Sequence, residues 1–367
     1  MNARVTWAAS LVVVAGVAVS LIGAGMANAG STSPEGPTFQ DGPALITPTV
    51  PPPGFNPLTA TNAQLIANGL PPHPAGMHPG WWIRAVTNNH WVPLHFTTLA
   101  TRTLIPTMAP APAPGGTTNT TSSGGLDSPN WSGNRDYTTT GHYQSIVAQW
   151  VVPSVTSPFE VNAYSSVWPG LGLGNSDSAQ LFQAGSEQDS TWQYVQHVGE
   201  QQYFNYALWW QITAYNGGMY PYQQGVGFGA SPGQTVFVNV AYDTSTGQAH
   251  FYIKNDSTGQ VDSFNVSASG TFGGQHAEWI FERTAENGNY PQLAKLTSAL
   301  TLTDANAELN GTWNGVGNWS HQWMNMYDFH LDDSTEYVDA SPNPINSAGN
   351  SFGFTWDHYG DVDAKNT

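Results

Sequence analysis

The chain has 367 residues and no cysteine, with 8 Lys and Arg against 25 Asp and Glu and a formal net charge of −17. So few cations exclude a surface that grips a nucleic-acid backbone, and the absence of thiols excludes disulfides and cysteine nucleophiles. A chain this long can bury a large core without covalent staples, and with 9% of its residues charged it has few ion pairs to lose in acid.

The first residues, MNAR, carry one basic side chain and lead into an apolar stretch from about Trp7 to Gly25, followed by Ala27-Asn28-Ala29. This predicts a secretory signal peptide over residues 1–29, cleaved after Ala29, and so a secreted, extracellular protein that leaves the membrane after cleavage. Residues 30–57 are rich in Pro, Ser, Thr and Gly and read as linker. Residues 60–105 differ, carrying aromatics, Arg84, Arg102 and the histidines His73, His78, His90 and His95. Solvated or loosely packed histidines are favoured there over a metal site. A second low-complexity stretch, 106–128, reads as an exposed linker.

From Asn130 onward the pattern is β. TVFVNVAYD (235–243), AHFYIKND (249–256) and VDSFNVSAS (261–269) alternate apolar and polar residues and are joined by the turns DTSTGQ and NDSTGQ. HAEWIFER (276–283) and SFGFTWDH (351–358) alternate in the same way. Many short strands in one unit predict a single all-β domain over 129–367, a sandwich or barrel.

Several site types can be set aside. PGLGLGNS (169–176) has glycines but no following Lys-Ser/Thr, and reads as a loop rather than a phosphate cradle. Glu278 and Glu282 share a strand face, but four residues put their backbones about 13 Å apart, a poor fit to a glycosidase pair. NGTWNGVGNWSHQWMN (310–325) has Trp313, Trp319 and Trp323 in a loop-like setting, either stacking on a ligand or pinning the loop.

Two amides remain. Gln149 in IVAQWVVP shares a strand face with Ser145, Val147 and Val151, and Gln211 in YALWWQIT shares one with Ala207, Trp209 and Thr213. Burying an unpartnered amide costs about 1–3 kcal/mol, so the pair points to a polar site. An amide can hold and polarise a carbonyl but cannot take a proton from water, so hydrolysis needs a carboxylate nearby.

NWSG (130–133), AQWVVP (148–153), SSVWPGLG (165–172), LFQAGSEQ (181–188) and HAEWIFER (276–283) come in the order and spacing of the glutamic peptidases. The chain resembles that family (the eqolisins, family G1, once grouped as A4) from about Asn130 to Trp356. The resemblance implies a concanavalin-like antiparallel β-sandwich and a secreted, acid-active endopeptidase that uses water and side chains, with no metal or cofactor. It implies a monomer acting on protein or peptide substrates, made with a prosegment that suits residues 30–128. It places the catalytic glutamine at Gln149 and the catalytic glutamate at Gln211, an amide where the base should stand. Three readings follow: another carboxylate takes over, Glu278 before Glu187 and Glu200; the domain is a silent peptide- or glycan-binding module; or the chain aligns with the family differently. Trp131, Trp150, Trp168 and Trp209 are the candidates for lining a substrate site, against a core role for most. Protonation of the N-terminal histidines is expected to loosen the prosegment in acid. Asn130, Asn265 and Asn318 head Asn-x-Ser/Thr sequons.

Overall fold

The computed structural model describes residues 39–40, 45–74, 79–106, 109–110, 122–174, 179–214, 218–267, 270–286, 289–329 and 336–360. The expected signal peptide and about half of the two low-complexity stretches lie outside these residues. The principal strands are β1 (Ser122–Ser128), β2 (Trp131–Tyr137), β3 (Tyr143–Val151), β4 (Ala163–Gly172) and β5 (Ala179–Val195). They continue as β6 (Gly199–Ala214), β7 (Tyr220–Gly225), β8 (Thr235–Asp243), β9 (Gln248–Asn255) and β10 (Gln260–Ser267). The last five are β11 (His276–Glu282), β12 (Leu300–Leu309), β13 (His321–Phe329), β14 (Glu336–Pro342) and β15 (Phe352–Trp356).

Antiparallel pairing runs β7-β6-β5-β4-β11-β2-β13-β14 in one sheet. The other runs β10-β9-β8-β3-β12, and β15 pairs with both β14 and β12 where the chain turns from one sheet to the other. The alternating runs at 235–243, 249–256 and 261–269 are the meander β8-β9-β10. Two stretches differ from the sequence reading. Pro169–Gly172 lies inside β4 rather than in a loop, because the glycine-rich run leaves room for neighbouring indoles. The last residues of the expected linker, 122–128, are a strand that pairs in parallel with β13.

The core fills the space between the sheets. Ile146, Ala148, Trp150, Val236, Val238, Val240, Phe251 and Ile253 come from one side, and Val167, Phe182, Leu208, Trp210, Ile212 and Phe281 from the other. Trp210 is at its centre, with ring centroids 4.7 Å from Tyr220 and 5.2 Å from both Phe251 and Phe264. Truncating so large a buried ring typically costs about 3–5 kcal/mol. Trp210→Ala is therefore expected to lower the denaturant midpoint sharply, and a midpoint close to the parent's would show that the sheets do not close on this ring.

Strands with one face in the core should leave the other polar, yet Phe237 and Tyr252 on the outer face of the second sheet are also buried. The N-terminal segment covers them. Helices α1 (Asn62–Ala67) and α2 (Gly80–Val86) set Leu65, Trp81, Trp82 and Ala85 against Val147, Phe237, Tyr252 and Val261. Helix α1 starts at a capping box formed by Thr61 and Gln64, a local signal that needs no tertiary support. Little of this segment is regular, but it is docked. Leu45–Pro48 and His90–Trp91 pair along the free edge of β10, and Thr97–Thr98 pairs along the free edge of β7.

Trp313 packs on this outer layer beside Trp81, and Trp319 packs on the main core. The tryptophan-rich stretch 310–325 is thus a short strand, a turn and the start of β13, pinned by its indoles.

Candidate active site

From Thr97 the N-terminal segment crosses the outer face of the first sheet as a strap, residues 97–106. Thr101–Arg102 pairs with Ala285–Glu286 on the far side, and Leu99 N–H donates to Gln223 O at 2.9 Å on the near side. Side chains alternate along it. Thr101 and Thr103 are buried against the sheet, and Arg102 and Leu104 are half-buried.

Gln211 lies beneath the strap, fully buried. Its Oε1 accepts from Thr103 N–H at 3.1 Å and from Gln183 Nε2 at 3.0 Å, and its Nε2 donates to Pro221 O at 2.8 Å. That answers why an apolar strand carries an amide here. Gln183 stands opposite Gln211 in the β5–β6 register, and its own Oε1 is buried without a partner.

Glu282, the last residue of β11, supplies a carboxylate at the same spot. Its Oε2 accepts from Thr103 Oγ1 and from Trp168 Nε1, each at 2.8 Å, and its Oε1 accepts from Asn130 Nδ2 at 3.2 Å. Asn130 Nδ2 also donates to the strap carbonyl of Leu104 at 3.0 Å. β6 and β11 are three strands apart, about 14 Å in a flat sheet, yet Thr103 touches a side chain from each. The face is therefore concave, and Thr103 sits at its focus.

Burial pushes the Glu282 carboxyl up to about 8, against the pull of hydrogen bonds from Thr103, Trp168 and Asn130. Glu187 and Asp189 lie on the same face of β5, where Thr284 donates to Glu187 and Asn205 to Asp189. Burial raises both, Asp189 to about 6, and the Asp189 charge raises Glu187 further.

The structure corrects the sequence reading of Gln149. β3 belongs to the second sheet, so the whole core separates Gln149 from Gln211. Its side chain points outward, where Nε2 donates to Asp256 Oδ2 at 2.5 Å and Oε1 accepts from Arg84 at 3.2 Å. Trp150 is also corrected. It points into the core and donates to Ser186 Oγ at 2.9 Å. Trp131, Trp168 and Trp209 do line the concave face, but under the cover of Leu99 and Ile105. Gly185 on β5 is needed there, because a Cβ would run into the Val167 carbonyl and the base of Trp168.

Glu278 shares the face of Glu282 but lies 3.9 Å from both Arg135 and His276, away from the strap. Burial raises it to about 7, with Arg135 pulling the other way. Glu200 is near the far end of the long β5–β6 hairpin, opposite Tyr194. Asn130 is fully buried and bonded to Glu282, so in the folded chain its sequon is closed to glycosylation. Among the described residues no group of three His, Cys, Asp or Glu side chains could share a metal ion, and His78 lies outside them.

The model of the peptidase A4 family matches residues 129–342, from just before β2 through the end of β14. The chain belongs to the peptidase A4 family. Two solved structures it is similar to are scytalido-glutamic peptidase with a peptide-based transition-state analogue and SCP-B, a member of the eqolisin family, with the tripeptide Ala-Ile-His. The first is 17% identical with a TM-score of 0.46, the second 18% identical with a TM-score of 0.45. Each alignment covers 62% of this chain and 98% of the other. No curated protein sequence matches the chain.

Within the A4 match the residues missed by sequence reasoning are Gln183, Glu282 and Asn130, all inside motifs already quoted. The signal was available for Gln183, an amide in the apolar run LFQAG, in the same kind of setting as Gln211. Thr103 lies before the matched region, and no motif marked it.

Proposed function

We propose that this A4-family chain is a secreted acid endopeptidase, made as a precursor, in which Glu282 moves the proton and Gln183 polarises the scissile carbonyl. The observation that carries this reading is Thr103, whose N–H and hydroxyl span Gln211 and Glu282 where a substrate peptide would lie. In the reaction Glu282 takes a proton from water as the water oxygen bonds to the carbonyl carbon. The negative charge that gathers on the carbonyl oxygen is held by side-chain amide N–H groups, Gln183 first and Asn130 beside it. Glu282 then returns its proton to the amide nitrogen as the C–N bond breaks, giving an acid and an amine. Gln211 acts through Gln183. Anchored on Pro221 O, it holds the Gln183 amide nitrogen, so an amide at this position is no loss of the base.

Trp168 and Asn130 orient the carboxyl, and Trp131 and Trp209 wall the site. Residues 30–128 serve as the prosegment. Acid alone does not free it, because Glu282 binds its proton more tightly under the strap than it would in water. That preference favours the covered form as pH falls from about 8 toward the ordinary carboxyl range. Release therefore needs a cut in the chain. The apolar N-terminal stretch ending in Ala27-Asn28-Ala29 supports export.

The test is a chain carrying a site-specific protease sequence within 111–120, assayed on an unfolded protein between about pH 2 and 6. The uncut chain should be inert, and the cut chain, freed of the strap, should hydrolyse. If the freed chain stays inert across that range, the concave face is a binding groove and the hydrolytic reading fails.

A further inference from the structure

The strap lies on the concave face as a peptide would, and its contacts divide into two kinds. Its backbone is held through the pairing of Thr97–Thr98 with β7 and of Thr101–Arg102 with Ala285–Glu286, and through Leu99 N–H, Thr103 N–H and Leu104 O. Any extended peptide could make those bonds, because every residue but proline offers them. The side-chain contacts are selective. Thr103 Oγ1 meets Glu282, and two residues earlier Thr101 Oγ1 donates to Gln223 Oε1 at 2.7 Å. Both threonines are nearly fully buried, and Gln223 is wholly so.

Resting on the hydrolytic reading above, we infer that Gln223 is a specificity-determining residue that selects a hydroxyl-bearing side chain, Thr or Ser, two residues before the substrate residue seated on Glu282. The chemistry is directional. The Gln223 amide oxygen is the atom that faces the strap, and the amide nitrogen is buried without a hydrogen bond of its own. An oxygen presented there accepts a proton and offers none, so it welcomes a hydroxyl and rejects a carboxylate or an apolar side chain of similar shape. Valine has the volume of threonine without the donor, and would leave Gln223 Oε1 buried and unpaired. Discrimination by an unpaired buried polar group is stronger than discrimination by size.

The experiment uses the full chain, activated as above, on a complex pool of peptides whose cleavage products are sequenced by mass spectrometry. Thr and Ser should be enriched about five- to tenfold over Val at that position, as the loss of one buried hydrogen bond predicts. In Gln223→Leu the enrichment should vanish. An even distribution in the parent, or an enrichment that survives in Gln223→Leu, overturns the inference. If neither chain cleaves any peptide, the hydrolytic reading is what has failed, and recognition is read from the strap itself. Thr101→Val should then speed hydrogen exchange at the strap amides about five- to tenfold in the parent and leave it unchanged in the Gln223→Leu background. Equal effects in both backgrounds would overturn it.

Discussion

Glu282→Gln in the freed chain is expected to lower peptide hydrolysis by about 10³-fold or more, while Gln149→Ala stays within about twofold of the parent. General acid–base catalysis contributes about 10²–10⁴-fold, and here one carboxyl serves as base and then as acid. The amide isostere keeps the size of Glu282 but can accept from only one of Trp168 and Asn130, which bond to different carboxylate oxygens. The rate is therefore read beside the melting temperature, and a loss of rate far larger than any loss of stability separates chemistry from folding. Gln183→Leu should cost about 10²–10³-fold in kcat, the usual size of an oxyanion donor. Glu278→Gln is the informative control. It shares a strand face with Glu282 but lies beside Arg135 and His276, and should leave the rate nearly untouched. Loss of activity in Glu278→Gln or Gln149→Ala at full stability, with Glu282→Gln active, would place the chemistry elsewhere.

The intact chain is expected to be most stable near pH 4–5 and to lose on the order of 10 °C in melting temperature by pH 8. Burial raises Asp136 and Glu187, and takes Asp189 to about 6, Asp262 and Glu278 to about 7 and Glu282 to about 8. A carboxyl whose folded value lies above its unfolded one binds its proton more tightly when folded. Its stabilisation is complete below about 4 and is lost as pH rises through the folded value. Two histidines, the buried His250 and the half-buried His276, work in the other direction. Burial lowers His250 to about 4 and His276 to about 3, so their share is present above about 6.5 and lost as pH falls through those values. Six carboxyls outweigh two histidines across pH 5–8. Each pK unit on one group is worth about 1.4 kcal/mol, and a few kcal/mol move the melting point of a chain this size by about 10 °C. Calorimetry from pH 3 to 9 reads the curve directly, and a melting temperature that rises between pH 5 and 8 would contradict the burial of these groups.

The β architecture was legible because the alternation at 235–243, 249–256 and 276–283 is a local property, and each run forms a strand within a residue or two of its predicted bounds. The site was legible only in its parts. Gln211 stood out as an amide in an apolar strand, but nothing local says which sheet a strand joins, and Gln149 carried the same signature on the other sheet. What separates them is strand order, which depends on pairings between residues far apart in sequence, such as Ser166 with Glu282. The carboxyl was hidden by the rule that four residues of strand span about 13 Å. That rule disposed of Glu278 and Glu282 as a pair, correctly, and took attention from Glu282 alone. Thr103 was invisible because a threonine in a polar stretch has many uses, and only its burial reveals this one.

The N-terminal segment pairs along the outer edges of β7 and β10, the two strands at which the sheets would otherwise end in unpaired backbone. Open edges of that kind invite pairing with another molecule. Protein synthesis runs from the N-terminus, at about 5–20 residues per second, so the closing pieces leave the ribosome before the edges they close. By the time β7 and then β10 emerge, their partners are already waiting on the same chain, and no neighbouring chain gets there first.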